Sequence, residues 1–155
     1  MRKIVLVILA GAAALIFIQV ERYISTGTME RRLKDQARNF PSLFAGNAQN
    51  GGSPELIREI VANMASEIED VTIERDAVEV IAIPLEVGPG NFDCSVAPFP
   101  PEYKKLSRLD QGNVQNITLR CYRDVSIVGF RAQAKTDDGA RIALEGFTYA
   151  RGFVH

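Results

Sequence analysis

An almost uninterrupted apolar run, IVLVILAGAAALIFIQV, occupies positions 4–20 near the start of the chain. Two basic residues precede it, and Glu21, Arg22 and the aromatic Tyr23 follow it. The run contains no charge and is about as long as the roughly 20 residues that a membrane-crossing helix needs. Charged flanks and an interfacial aromatic residue are typical of such a helix. The pattern therefore predicts a transmembrane anchor over residues 1–24.

A cleaved signal peptide is the alternative interpretation, because it also has a basic start and an apolar stretch. A signal peptidase needs small residues after the apolar stretch. Here the small residues at 10–14 lie inside the run, and the candidate pair after it is Ser25 and Gly27. We therefore expect the anchor to remain on the mature chain.

Residues 25–52 carry a shorter amphipathic pattern and then a polar segment. Thr28 can cap a helix and Pro41 can end it. Its apolar face would hold Met29, Leu33, Ala37 and Phe40. The following PSLFAGNAQNGG has the composition of a linker, which would offset the domain from its anchor. The helix either lies on the membrane or a partner, or extends the transmembrane helix and packs on its own domain.

A strong helix signal opens the last segment, residues 53–155. Ser53 is a hydroxyl cap, Pro54 suits the first helical position, and Glu55 places an acid at the positive end of the helix dipole. Apolar residues then recur at three- and four-residue spacing: Leu56, Ile57, Ile60, Val61, Met64, Ala65 and Ile68. Such a stripe predicts an amphipathic helix with one buried face.

Alternating patterns after this helix predict strands. Residues 72–87 would form a first hairpin, with Asp76 at its turn and Pro84 at an edge or a bulge. A long irregular insertion follows at 88–113. Strands resume at NITLRCYRDVSIV, where Ile117, Leu119 and Cys121 share one face, and continue to about residue 150.

Taken together, these elements predict an α+β fold. Behind an N-terminal transmembrane helix, one amphipathic helix packs on an antiparallel sheet of about five strands, and that α+β domain spans 53–155. The phrase SPELIREIVANMASEIEDVTIERDAVEVIAIP resembles small, largely uncharacterised single-pass bacterial membrane proteins that have an extracytoplasmic helix and antiparallel sheet. The resemblance implies a fold and carries no functional residues.

The two cysteines bear on the compartment. Cys94 and Cys121 form an even pair with no CxxC motif and no nearby histidine, so they suit a disulfide better than a metal site. Closing a loop of about 28 residues would contribute roughly 3.6 kcal/mol in the chain-entropy model. Two buried free thiols are the alternative.

The membrane orientation has conflicting signals, because Arg2 and Lys3 stand against Arg22, Arg31, Arg32 and Lys34 beyond the run. With the disulfide as a second indication, we expect the bacterial cytoplasmic membrane, with the N-terminus inside and the domain periplasmic.

Charge and chemistry narrow the function classes. With 18 Lys and Arg against 19 Asp and Glu, the chain lacks the basic field that nucleic acid requires. The single histidine, His155, is the last residue, so a catalytic triad has no base. The acidic clusters near Glu67 and Asp137 lack calcium-loop spacing. We therefore expect no enzyme activity, no cofactor and no metal.

Two segments are candidates for protein contacts. Within the insertion, a rigid Pro and aromatic stretch comprises Pro98, Phe99, Pro100, Pro101 and Tyr103. Its alternative is a loop packed on its own domain. Within the apolar run, the small residues Ala10, Gly11 and Ala14 would let another membrane helix pack closely, although such residues are also common without a partner.

These observations favour a non-enzymatic accessory or assembly subunit of a larger membrane complex, for example a respiratory or photosynthetic one. Its partners would be the lipid bilayer and other membrane subunits. The alternative is a membrane-tethered envelope module that binds a peptide or small ligand, and an anchored hydrolase is a third possibility.

Overall fold

The computed structural model describes residues 2–48, 51–85, 99–119 and 124–155, with side chains of the first helix from Leu15 onward except at 22 and 26. Within these ranges, four α-helices and four β-strands follow in chain order: α1 (Arg2–Arg38), α2 (Phe40–Asn47), α3 (Pro54–Ser66), β1 (Val71–Ile73), β2 (Glu79–Pro84), α4 (Arg108–Leu119), β3 (Val125–Thr136) and β4 (Arg141–Arg151). Short 3-10 helices occupy Arg75–Ala77 and Pro101–Lys105. The predicted α+β class with an antiparallel sheet is confirmed.

Helix α3 begins and ends as its sequence indicates. The Ser53 hydroxyl accepts a hydrogen bond from the Leu56 amide at 3.3 Å, and Pro54 occupies the first turn. Its buried face comprises Ile57, Ile60, Val61, Met64 and Ala65. After Glu67, which closes the helix, Asp70 adopts a positive φ of 63° and turns the chain into β1.

The sheet is built around β3. Strand β4 pairs along one edge of β3 over its whole length, from Val125 opposite Arg151 to Lys135 opposite Arg141. Strands β1 and β2 both pair antiparallel with the other edge. The predicted hairpin over 72–87 is therefore wrong, because β1 and β2 follow each other along β3 and do not pair together.

A break separates β1 from β2 on that edge. Ile73 lies opposite Ala134, and Glu79 lies opposite Arg131. Five residues, 74–78, thus cover a stretch that two residues, 132–133, cover on β3. The three extra residues correspond in number to the 3-10 helix at Arg75–Ala77, which leaves the edge and lets the chain rejoin it.

The predicted sheet of about five strands is also wrong, since the described residues form four. The segment predicted as a strand from Asn116 is helical up to Leu119. Ser107 starts this helix α4: its hydroxyl accepts from the Asp110 amide at 3.1 Å and donates to the Asp110 carboxylate at 2.8 Å. Alternation over Ile117 and Leu119 alone was too short to distinguish a strand from a helix.

A hydrophobic core lies against each of the two faces of the sheet. Helices α1, α2 and α3 cover the first face, where Val128, Phe130, Ala132 and Ala134 of β3 join the first core. A smaller second core covers part of the other face and comprises Leu106, Val114, Ile127 and Phe147. Residues 125–130 of β3 are accordingly buried throughout, whereas exposure alternates from Arg131 onward.

Helix α1 continues without interruption from the apolar run into the first core. Leu33 and Ala37 near its end are buried there, together with Phe40 and Phe44 of α2. Extension of the first helix onto its own domain, one of the two predicted alternatives, is the one observed. The residues predicted to start a linker instead form α2. Phe40 meets Phe130 edge to face, with ring centroids 5.0 Å apart.

Candidate functional site

Most of the exposed large apolar side chains among the described residues lie on α1. Leu15, Ile16, Phe17, Ile18, Val20 and Ile24 are all exposed, Phe17 to 64%. Successive helical residues point about 100° apart, so four consecutive exposed apolar residues at 15–18 face all sides of the helix. A helix that is apolar on all sides is typical of a buried or membrane environment.

In the part of the chain whose side chains are described, no helix is long and apolar enough to cross a membrane. The small residues Ala10, Gly11 and Ala14 lie within the α1 backbone. The side chains of these three residues, and of the apolar run before Leu15, are not among the side chains that the structure describes.

A groove with a volume of about 250 Å³ lies between α3 and the α1 and α2 pair. Helix α3 and its C-cap contribute one continuous stripe at helical spacing: Leu56, Glu59, Ile60, Asn63, Met64 and Glu67. The opposite wall is formed by Gln36, Leu43 and Asn47. Sequence reasoning missed this site, because the stripe overlaps the buried face of α3 and two residues of the opposite wall, Leu43 and Asn47, lie in the segment predicted as a linker.

The charged side chains that line the groove are all acidic. Its charged lining residues are Glu59 and Glu67, both exposed, and its other polar side chains are amides. The Gln36 amide donates to the Glu67 carboxylate at 3.0 Å and joins the two walls at one end. The Asn47 amide donates to the Leu43 carbonyl at 2.8 Å, which fixes the other end. The site thus combines an apolar floor with an acidic and amide rim.

The uncovered half of the second sheet face is a shallow concavity of about 710 Å³. A row of charges crosses it: Arg131 lies 3.6 Å from Glu79 and 3.8 Å from Glu145, and Lys105 donates to Glu145 at 2.8 Å. Because these charges already pair with one another, as cross-strand charges on a solvent-exposed sheet face do, the row does not indicate a ligand site.

A separate ion pair lies at the break in the edge strand. Lys135 donates a hydrogen bond to Glu74, and that bond together with the positive charge of Lys135 lowers the pKa of the Glu74 carboxyl. The pair ties the end of β1 to β3 across the point where the 3-10 turn begins.

The Pro and aromatic stretch that was predicted to contact a partner is only partly exposed. Phe99 and Tyr103 stack with ring centroids 4.1 Å apart, and the Tyr103 hydroxyl donates to the Gln111 carbonyl at 3.2 Å. Tyr103 also packs against the second core, whereas Phe99 remains 37% exposed. Pro100 is half-buried and Pro101 is exposed. Pro98, Cys94 and Cys121 lie outside the described residues, so the disulfide stays a prediction.

His155 has a neighbour that the sequence does not reveal. Its Nε2 lies 3.1 Å from the Ser126 hydroxyl, and its ring meets Phe153 edge to face. Ser126 is only 5% exposed, and no described carboxylate hydrogen-bonds the imidazole as a triad would require. We assign this pair to fixing the C-terminus on β3. Among the described residues, no three metal-ligating side chains cluster together.

Comparison with known proteins gives no relative for this chain. No family model matches it, and neither a curated protein nor a solved structure does.

Proposed function

We propose that this protein is a non-enzymatic, single-pass membrane subunit that attaches to a larger membrane complex. The observation that carries the proposal is the continuity of α1. One helix bears the apolar run, is exposed on all sides at 15–18, and then becomes part of the first core at Leu33 and Ala37. Exposed apolar surface of this kind needs lipid or a partner helix to cover it.

The geometry of α1 supports a short distance between domain and bilayer. Ile24 is the last exposed large apolar residue of the helix, and Met29 is the first that packs against the first core. Five residues of helix correspond to about 7.5 Å. The domain would therefore lie against the lipid headgroups, where it can contact the extramembrane part of a neighbouring subunit.

In this proposal the anchor crosses the bacterial cytoplasmic membrane, with the N-terminus inside and the domain in the periplasm. The apolar run supports the crossing, and the predicted disulfide between Cys94 and Cys121 supports the compartment. Alkaline phosphatase fused after His155 through a linker tests the orientation. An active fusion is expected, and an inactive one paired with a fluorescent cytoplasmic reporter would reverse it.

Attachment is tested by copurification of the full chain from mild detergent. Gly11→Leu or Ala14→Leu enlarges the small-residue patch, keeps the run apolar, and should cut the yield of the partner at least fivefold by preventing close helix packing. Ala12→Leu is the matched control, because position 12 lies ~150° around the helix from the patch. Elution of the unaltered protein alone would contradict the proposal.

The second contact is tested at the stacked aromatic pair. Phe99→Ala should lower the partner yield without unfolding the domain, because Phe99 is partly exposed and lies outside both cores. Tyr103 is unsuitable for this test, since its ring packs on the second core. An undiminished yield with Phe99→Ala would remove the insertion from the contact surface.

A membrane-tethered binding module is the second candidate. The groove between α3 and the α1 and α2 pair favours it, because that groove combines an apolar floor with a polar rim and is formed by this chain alone. A protein that stays monomeric in mild detergent would support this candidate over the subunit.

A further inference from the structure

We propose that the groove between α3 and the α1 and α2 pair receives a cationic amphipathic helix of a partner protein. The inference rests on the proposed function, since it names the chemistry of a second contact in the same attachment. Three observations carry it: the volume of the groove, the helical spacing of its walls, and the sign of its charges.

The volume argues against a small-molecule ligand. Cavities that enclose such ligands measure about 300–1,000 Å³ and bury most of the ligand surface. This groove has about 250 Å³ and does not enclose a ligand on all sides. It therefore suits a few anchoring side chains of a larger partner better than a cofactor.

The shape of the groove argues for a helix. The α3 stripe from Leu56 to Glu67 occupies positions i, i+3, i+4, i+7, i+8 and i+11, so it runs along about three turns, or roughly 17 Å. The opposite wall is also helical, at Gln36 in α1 and Leu43 in α2. A depression between helical walls can accept the ridge of a third helix, as in helix-in-groove recognition.

The charges set the chemistry of that helix. Glu59 and Glu67 are the charged lining residues, and neither forms an ion pair with a described cation. The neighbouring Glu55, by contrast, pairs with Arg58 outside the groove. A partner with leucine-like anchors for the Leu43, Leu56 and Met64 floor and with Lys or Arg beside them would complement both the apolar and the acidic part.

The experiment uses the full chain in phosphatidylcholine nanodiscs and a labelled 15-residue helical probe. The probe carries Leu at positions i, i+3, i+4 and i+7 and Lys on either side, and a second probe replaces each Lys by Glu. Fluorescence anisotropy should show binding of the Lys probe over empty nanodiscs and at least fivefold weaker binding of the Glu probe. Equal binding of the two probes would overturn the proposal.

Methionine methyl NMR locates the probe. The chain has three methionines, of which Met64 lines the groove and Met29 lies on α1 outside it. The Lys probe should shift the Met64 methyl signal and leave Met29 unchanged. A bound probe that leaves Met64 unshifted would place the site elsewhere and sink the assignment.

Charge reversal within the groove provides the matched variants. Glu59→Lys should weaken the Lys probe about fivefold, because an attraction becomes a repulsion at the rim. Asn63→Lys, also on the rim, should act in the same direction if Glu59→Lys fails to fold. Glu69→Lys makes the same charge change outside the groove and should have no comparable effect. Equal weakening of probe binding by Glu69→Lys would show that the net charge of the protein, and not the groove, causes the effect.

These results separate the two proposals. Probe binding that fails while the complex copurifies would remove only the groove as the contact. Specific probe binding by a protein that copurifies with nothing would keep the groove and contradict the subunit function.

Discussion

At the scale of single residues, two kinds of feature differ in how far the sequence reveals them. The cap at Ser53 is local, so its hydroxyl, the following proline and the apolar stripe predicted it correctly. The Gln36 to Glu67 bond joins residues 31 positions apart, and the Ser126 to His155 contact joins residues 29 apart. No periodic pattern encodes such pairs, because they exist only after the elements have packed.

Gly146 shows how a single position controls the approach of helix and sheet. A Cβ there would lie 2.7 Å from the Phe130 ring and 3.0 Å from the Ala37 carbonyl oxygen. Gly146→Ala should therefore lower the free energy of unfolding by about 1–3 kcal/mol, as overpacking does. Urea unfolding of the full chain in detergent measures it.

Gly112 in α4 is the matched control for that substitution. A Cβ at Gly112 meets nothing within 4 Å, and alanine favours a helix interior over glycine by about 1 kcal/mol. Gly112→Ala should thus leave stability unchanged or raise it. An equal loss in both variants would mean that the close packing at Gly146 is not the cause.

The pair formed by Glu74 and Lys135 makes a prediction about acid. Lys135 holds the pKa of Glu74 below its ordinary value, so the stability that this pair contributes is complete above the unfolded-state pKa. It is lost as the pH falls through the lowered folded-state pKa. Lys135→Gln should raise the pKa of Glu74 toward its ordinary value in an NMR titration of its carboxyl. Lys104→Gln, on an exposed side chain outside this pair, should leave that pKa unchanged, and a fixed pKa in both variants would refute the cause.

At the scale of elements, long periodic segments were predicted well and short ones were not. Helix α3 has five buried residues at helical spacing, which no strand accommodates. Among the residues of α4 whose side chains are described, Asp110 and Val114 are the buried ones, so its periodicity was too sparse to outweigh a few alternating residues at 115–119. The strand pattern of β1 and β2 was right, but pairing depends on the remote strand β3 and cannot be inferred from the turn between them.

The break between β1 and β2 allows a test by deletion. Removing Arg75–Ala77 cancels the three extra residues, so Val78 would lie opposite Ala132 and keep its place in the first core. We expect a folded protein with one continuous edge strand. A cross-strand NOE between Val78 and Ala132 would detect it.

The control deletes two residues, Asp76 and Ala77, and shifts the alternation by one. This shift would turn Val78 from the first sheet face to the second, and it would exchange the two faces of β2 in the same way. The lost burial should cost several kcal/mol of unfolding free energy. Similar urea midpoints for the two deletions would show that the register of β2 does not depend on the length of the break.

At the scale of the whole molecule, the sequence predicted the order of helix and sheet, but it predicted a linker where the structure has α2. Pro41 opens α2 within its first turn, and Phe44 is buried among aromatic residues of the first core. The glycines and asparagines of the segment come mostly after this helix, so composition averaged over twelve residues hid a helical first half. The domain is consequently fixed to α1 and not suspended from it.

That rigid connection can be tested at Gly27, between the apolar run and the first core. A side chain at Gly27 would meet nothing within 4 Å, so Gly27→Ala should keep α1 continuous and serve as the control. Gly27→Pro removes a helical hydrogen bond and clashes with the preceding turn, at a cost of about 3 kcal/mol. Hydrogen exchange in nanodiscs should therefore become about 100-fold faster at amides 24–28 in the proline variant, while the amides of α3 remain protected.

If the domain must be held in a fixed orientation to reach its partner, the same variant should also lose copurification. Equally fast exchange in the unaltered protein would instead show that α1 is not continuous at Gly27, and that the domain hangs from a flexible tether.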